Sequence, residues 1–447
     1  MRWPGAALVG LLTLLAAAAL GLRAAPQPGQ TGAVVVSASA QRIYENARAQ
    51  LFQIRTLLKD QDSQASVGSG FLVSRNGHIV TNYHVVSQAA LQPERYRLVY
   101  TTADGEEGAL HLLAFDAIRD LALVTPADPA PLAGRTPLRF RLQASALGQG
   151  ERIFSLGHPL DIGFAVIEGT YNGLVERSFY PTIFFAGSLN PGVSGGPTLD
   201  RHGDVVGVNV AARRDGEQVS FLVPAEFAAD LLERGRTATP FAATAYAELT
   251  NQLTAHQDAM TGRFLAQPWR SARHQRYRLP RPAEAFMRCW GDSSPADARG
   301  LQYEESSCHM ETRLFVSDWL TTGWLQVRHD IYDGRTLGPL RFANKYSARF
   351  ADELIGGTPD AHRTAPQCHE RDVDRDGLPL RAVFCATAYR KLPGLYDVTL
   401  LVATVNAATL GVQARLDAHG VSFDNALRLS AHYLDGLGLH PAPEGVP

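Results

Sequence analysis

Between residues 51 and 223 short apolar runs alternate with polar, turn-forming breaks. Leu51–Leu57, Ser69–Val73 and His78–Asn82 have the character of half-buried or buried strands. Asn76-Gly77, between the second and third, marks a hairpin turn, because both residues accept positive φ cheaply. Further runs at 96–102, 109–115, 120–125, 137–142, 151–156, 163–169, 182–186, 204–211 and 218–223 extend the series. Strands this short and frequent predict all-β barrels and not βαβ units. The third strand runs straight into Tyr83-His84-Val85-Val86.

Elsewhere the period changes. Residues 41–48 and 225–235 read as helices, the second ended by Gly235. Tyr246, Leu249, Leu253, Met260 and Phe264 recur at helical spacing over 243–265, suited to packing on a barrel or bridging two bodies. Beyond residue 286, strands at 312–316, 323–329 and 398–404 and a helix at 422–434 predict an α+β domain with a predominant sheet.

The chain has 447 residues, 45% hydrophobic and 19% charged, room for about three folded domains. The reading is mainly β: a tether at 26–48, barrels over 49–236, a helical and basic linker at 237–285, and a separate domain at 286–447. A net charge of −2 gives no pull towards nucleic acid. The apolar run 6–22 follows Arg2 and makes residues 1–25 a signal peptide or a signal anchor. Either places the body in the periplasm or outside the cell, and the second adds a membrane tether. Cys289, Cys308, Cys368 and Cys385 are the only cysteines; in an exported chain they read as disulfides. Sequential pairing, which closes short loops, is expected. A zinc site is the alternative, but no pair has the close spacing such sites show.

The candidate chemistry centres on Gly192-Val193-Ser194-Gly195-Gly196-Pro197. The glycine before the serine allows a sharp turn, so Gly192 and Ser194 can aim their amides at one developing negative oxygen. A serine hydroxyl needs a base, and the base needs an acceptor that fixes its tautomer. His84 fills the first role and Asp120 the second. Asp116 competes for the second role and is read as a solvated turn residue.

Together Gly68-Ser69-Gly70-Phe71-Leu72-Val73, the run His78 to Val86, Asp120-Leu121-Ala122-Leu123-Val124 and the Ser194 segment resemble the trypsin-like, or chymotrypsin-fold, serine peptidases. The bacterial high-temperature-requirement, Deg-like branch is the nearest in pattern. Leu156-Gly157-His158-Pro159, Gly207-Val208-Asn209 and Phe221-Leu222-Val223-Pro224 are similar to its later landmarks. The resemblance covers residues 50–230. It implies two six-stranded antiparallel barrels, with His84 and Asp120 from the first and Ser194 from the second. It picks Asp120 over Asp116, because the family acid directly precedes the apolar strand. It also implies an oxyanion hole of Gly192, Val193 and Ser194 backbone. A substrate pocket near Ser188, Val210, Ala211, Ala212 and Val219, with no acid among them, would favour small or medium apolar side chains.

The chain departs from the family at Val193, where Asp or Asn is usual. Valine cannot pair with a newly cut N-terminus, so activation by that route is not expected. A flipped Val193 peptide would leave the oxyanion hole unformed. The family's peptide-binding PDZ domain is not evident after residue 237. Three further stretches have bland readings: Arg213-Arg214 as a solvated turn, the basic run 270–281 as an exposed linker, and Asp372 to Gly377 as a hairpin turn and not a calcium loop, since Val383 stands where a bidentate Glu belongs.

The expected function is an exported serine endopeptidase acting on polypeptides, with no metal or cofactor, in envelope protein quality control. The alternative is a catalytically silent peptidase-like scaffold whose C-terminal domain binds or senses a partner. Oligomeric state is not legible.

Overall fold

The structure, a computed structural model, describes residues 37–143, 146–159, 163–212, 218–274, 276–295, 297–353, 355 and 359–440. The apolar run 6–22 and the Arg213-Arg214 pair lie outside them.

Helix α1 (Ala38–Ala47) leads into the first barrel. Its strands are β1 (Leu51–Leu58), β2 (Gln64–Leu72), β3 (Ile79–Thr81), β4 (Tyr96–Thr102), β5 (Glu107–Asp116) and β6 (Leu121–Pro126), closed in the order β1-β2-β3-β6-β5-β4. The second barrel is β7 (Arg152–Gly157), β8 (Ala165–Leu174), β9 (Ile183–Ala186), β10 (Pro197–Leu199), β11 (Val205–Ala212) and β12 (Val219–Pro224), closed in the order β10-β11-β12-β9-β8-β7. All neighbouring pairs are antiparallel.

Two local readings change. The third strand stops at Thr81, and Tyr83–Leu91 is helix α2. Asn82 has the extended backbone of a helix cap, and Tyr83, Val86 and Ala90 fall on one buried face. A short apolar run fits both periods, and here tertiary packing decides. Residues 137–142 form no strand; Phe140 makes one isolated parallel bridge to Val205 and its ring meets Phe71 edge-on at 6.4 Å. The apolar pattern there belongs to a strap between the barrels.

After α3 (Ala225–Gly235) comes α4 (Tyr246–Ala266), whose apolar face serves two cores in turn. Leu249 and Leu253 join the first barrel's cluster, while Met260 and Phe264 join that of the later sheet. The basic run is a hairpin and not an exposed linker. β13 (Arg270–His274) pairs with β14 (Tyr277–Arg281), and Tyr277 and Leu279 are buried. Alternation hides an apolar face behind the arginines.

The later domain is a seven-stranded antiparallel sheet. Its strands are β15 (Met287–Ser293), β16 (Gln302–Met310), β19 (Trp324–Asp333), β20 (Gln367–Arg375), β21 (Leu378–Ala388), β22 (Tyr396–Thr404) and β23 (Leu410–Val421), in the order β15-β16-β19-β23-β22-β21-β20. Helices α5 (Pro339–Ala351) and α6 (Phe423–Gly436) accompany it, and β24 (Gly438–Leu439) pairs with β14. The side chain of Ser422 caps α6 by accepting from the Asn425 amide. Cys289–Cys308 and Cys368–Cys385 are disulfides between neighbouring strands. Asp372 to Gly377 ends in the turn of the β20–β21 hairpin, with Asp376 and Gly377 both at positive φ. Between β16 and β19 a small hairpin, β17 (Leu314–Ser317) and β18 (Leu320–Thr322), leaves the sheet and packs on the first barrel. Its Leu314, Val316 and Leu320 share one apolar cluster with Phe52, Ile54, Tyr83 and Leu249.

Candidate active site

His84 lies in the first turn of α2, where backbone amides have no partner inside the helix. Asp120 supplies one. Its Oδ1 accepts from the His84 amide at 2.8 Å and its Oδ2 lies 2.6 Å from His84 Nδ1. One carboxylate therefore caps the helix and orients the imidazole. Asp120 sits at φ 56°, a left-handed backbone that an aspartate tolerates better than most residues. Asn82 Nδ2 holds its carbonyl at 2.7 Å. The preceding turn is braced by Asp116, whose Oδ1 accepts from the amides of Ile118 and Arg119. Asp116 is thus a turn residue, but not a solvated one: it is 5% exposed and paired with Arg119 at 2.9 Å.

Burial pulls the His84 pKa down. The Asp120 charge and hydrogen bond, with Asp318 adding, outweigh it and raise the imidazole above an ordinary histidine.

The Ser194 turn is built against the same spot. Gly195 is at φ 83°, and a Cβ there would lie 2.3 Å from the Ser69 carbonyl oxygen and 2.8 Å from the Asn82 nitrogen. At Gly68 a Cβ would lie 2.5 Å from Val85 Cγ2 and 2.9 Å from the Ser194 carbonyl oxygen. The serine backbone therefore abuts the start of α2, and only glycine permits that approach. The Ser194 hydroxyl donates to the Val210 carbonyl at 3.1 Å, its one hydrogen bond among the described residues. So His84 and Asp120 are joined, while the serine hydroxyl is engaged elsewhere.

The oxyanion side is ordered by two residues whose roles the motifs did not reveal. Ser69, 1% exposed, donates its hydroxyl to the Gly192 carbonyl at 2.7 Å and its amide to the Ser194 carbonyl at 2.7 Å. Asn209 clamps the turn from the other side. Its Nδ2 donates to the Val193 and Leu156 carbonyls, both at 3.1 Å, and its Oδ1 accepts from Ser155 and Thr198. Its amide and carbonyl pair with Gly196 and Gly195. Every group on that buried side chain is satisfied, which makes it a rigid part. Serine and asparagine in glycine-rich strands look like turn residues, so no local signal marks them.

The Val193 amide donates to the Asn190 carbonyl at 3.2 Å, so it is not a free oxyanion donor. Its side chain is 1% exposed in the second barrel's core with Ile153, Leu189 and Leu222. The Gly192–Val193 peptide is thus tied at both ends. Among the described residues the Gly192 and Ser194 amides have no acceptor. Of the pocket residues, Ser188 is exposed and Val210 and Val219 are half-buried; the side chains of Ala211 and Ala212 lie outside the described set.

With this geometry in place, residues 68–208 match the trypsin-like peptidase domain family. Over that stretch the chain is similar to Deg-type serine proteases. It is 29% identical over 206 residues to the putative serine protease HhoB of Synechocystis, covering 43% of this chain and 46% of that protein. It is 32% identical over 182 residues to a probable periplasmic serine endoprotease, DegP-like, of Hahella chejuensis, covering 39% and 36%. The serine protease Do-like HtrA of Bacillus subtilis is 26% identical over 279 residues, covering 58% and 57%. The chain spans about a third to a little over half the length of these curated relatives.

Proposed function

We propose that the chain is an exported serine endopeptidase. Ser194 Oγ attacks a peptide carbonyl, and its proton passes to His84 Nε2. The amine leaves with that proton, and water repeats the sequence on the acyl-enzyme. Asp120 holds the tautomer with Nδ1 protonated. The free amides of Gly192 and Ser194 receive the oxyanion. The observation that carries the reading is the doubly bonded His84–Asp120 pair against the serine turn. The serine-protease relatives support the activity. The periplasmic relative, the signal-like N-terminus and the two disulfides support export. Its setting is protein quality control in the envelope.

Among the described residues no helix is long and apolar enough to cross a membrane. The candidate tether at 6–22 lies outside them.

One observation favours the silent-scaffold reading: the Ser194 hydroxyl rests on the Val210 carbonyl. A fluorophosphonate probe separates the two. Labelling of the native chain and not of Ser194→Ala supports the enzyme. An unlabelled native chain, with peptides present as well as absent, supports the scaffold.

A further inference from the structure

The β17–β18 hairpin comes from the later domain, yet it stands against the helix that carries the candidate base. The Phe315 ring lies 6.1 Å from the His84 ring, edge to face, and 6.3 Å from Tyr83. The Tyr83 hydroxyl donates to the Val316 carbonyl at 3.2 Å. One helical turn beyond His84, Gln88 Nε2 donates to Asp318 Oδ2 at 2.8 Å. Three successive holds along α2 therefore fix both strand and tip. The next residue, Trp319, is 82% exposed. An indole left in water at the tip of an otherwise anchored hairpin has apolar area to bury.

We propose that this hairpin is a wall of the substrate cleft, seating a large apolar side chain of the polypeptide substrate, close to the scissile bond, between Phe315 and Trp319. The proposal rests on the endopeptidase reading. It assigns the later domain a direct part in specificity, separate from the pocket around Val210 and Val219. The hairpin adjoins the imidazole itself, so an extended substrate crossing His84 must pass it. Apolar contact suits the site, since the one charge at the tip, Asp318, is already engaged by Gln88.

The test uses the full chain, with active sites counted by fluorophosphonate labelling and kcat/KM measured per labelled site. Peptides differ only in the residues flanking the scissile bond, Phe or Leu in one set and Gly in the other. Trp319→Ala changes an exposed residue and leaves the fold's core untouched. It is expected to lower kcat/KM for the apolar set about 10- to 100-fold, mainly through KM, as losing one buried large side chain should. The Gly set should change less than about threefold, well below the effect of losing such a contact. Phe315→Leu keeps the core filled and should lower the apolar-to-Gly ratio in the same direction. Equal losses on both sets, or an unchanged ratio in both variants, would overturn the proposal while leaving the endopeptidase reading intact. An unlabelled native chain would sink both.

Discussion

At the scale of single residues, the site depends on who holds what. Asp120 has two duties towards His84, and an amide can discharge only part of them. Asp120→Asn should keep the α2 cap but favour the wrong imidazole tautomer, lowering turnover about 10⁴-fold with the melting temperature little changed. Unchanged turnover would move the orienting role elsewhere. Ser69→Ala frees the Gly192 carbonyl and should cost about 10²-fold in kcat, the scale of one misplaced oxyanion donor. Catalysis by a base requires neutral His84, so the acid limb of the rate profile should lie above that of an ordinary histidine. Asp318→Asn removes one charge that raises it and should move that limb to lower pH. A limb that stays put would show that Asp318 is not felt at the imidazole.

At the scale of elements, most strands were legible because each is a short apolar run closed by a turn residue. His84, Asp120 and Ser194 were legible as motifs for the same reason, since glycines and an apolar strand frame them. What escaped had no local signature. Helix α2 is too short for its period to beat that of a strand, and its Asp120 cap lies in the turn between β5 and β6, 36 residues further on. The hairpin that flanks His84 lies far downstream, so nothing near the histidine announces it. Helix α4 was legible as a bridge, but not its buried histidine, His256. His256 Nε2 donates to the Gly323 carbonyl at 3.2 Å and Nδ1 accepts from the Tyr180 hydroxyl at 2.9 Å. That neutral arrangement joins the second barrel to the base of the hairpin. Burial, only partly opposed by the Gly323 bond, lowers its pKa to about 4. The unfolded chain, with an ordinary value near 6.5, therefore binds this proton first. Stability should fall as pH drops from about 6.5 towards 4, seen as a declining urea midpoint. His256→Gln should flatten that decline; an equally steep decline would place the titration on other groups.

At the scale of the whole molecule, the two barrels and the later sheet share cores. Leu314, Val316 and Leu320 fill the first barrel's cluster from outside, and α4 threads both. A fragment ending near residue 240 would leave that cluster open. It is expected to lose cooperative unfolding, measured by calorimetry on the fragment beside the full chain. The later sheet has its own fastening. Reductant should raise the intact mass by four hydrogens, one pair for each of the two disulfides, and lower the domain's melting temperature.

The distance along the chain between His84 and the hairpin has a consequence in time. Tyr83 and Val316 touch across 233 positions of sequence. A polypeptide delivered amino end first presents both barrels while the segment that flanks the histidine is still on its way. The proposed wall of the cleft can form only once residues 314–322 have arrived, so a copy delivered only as far as the barrels lacks the means to grip a bulky target.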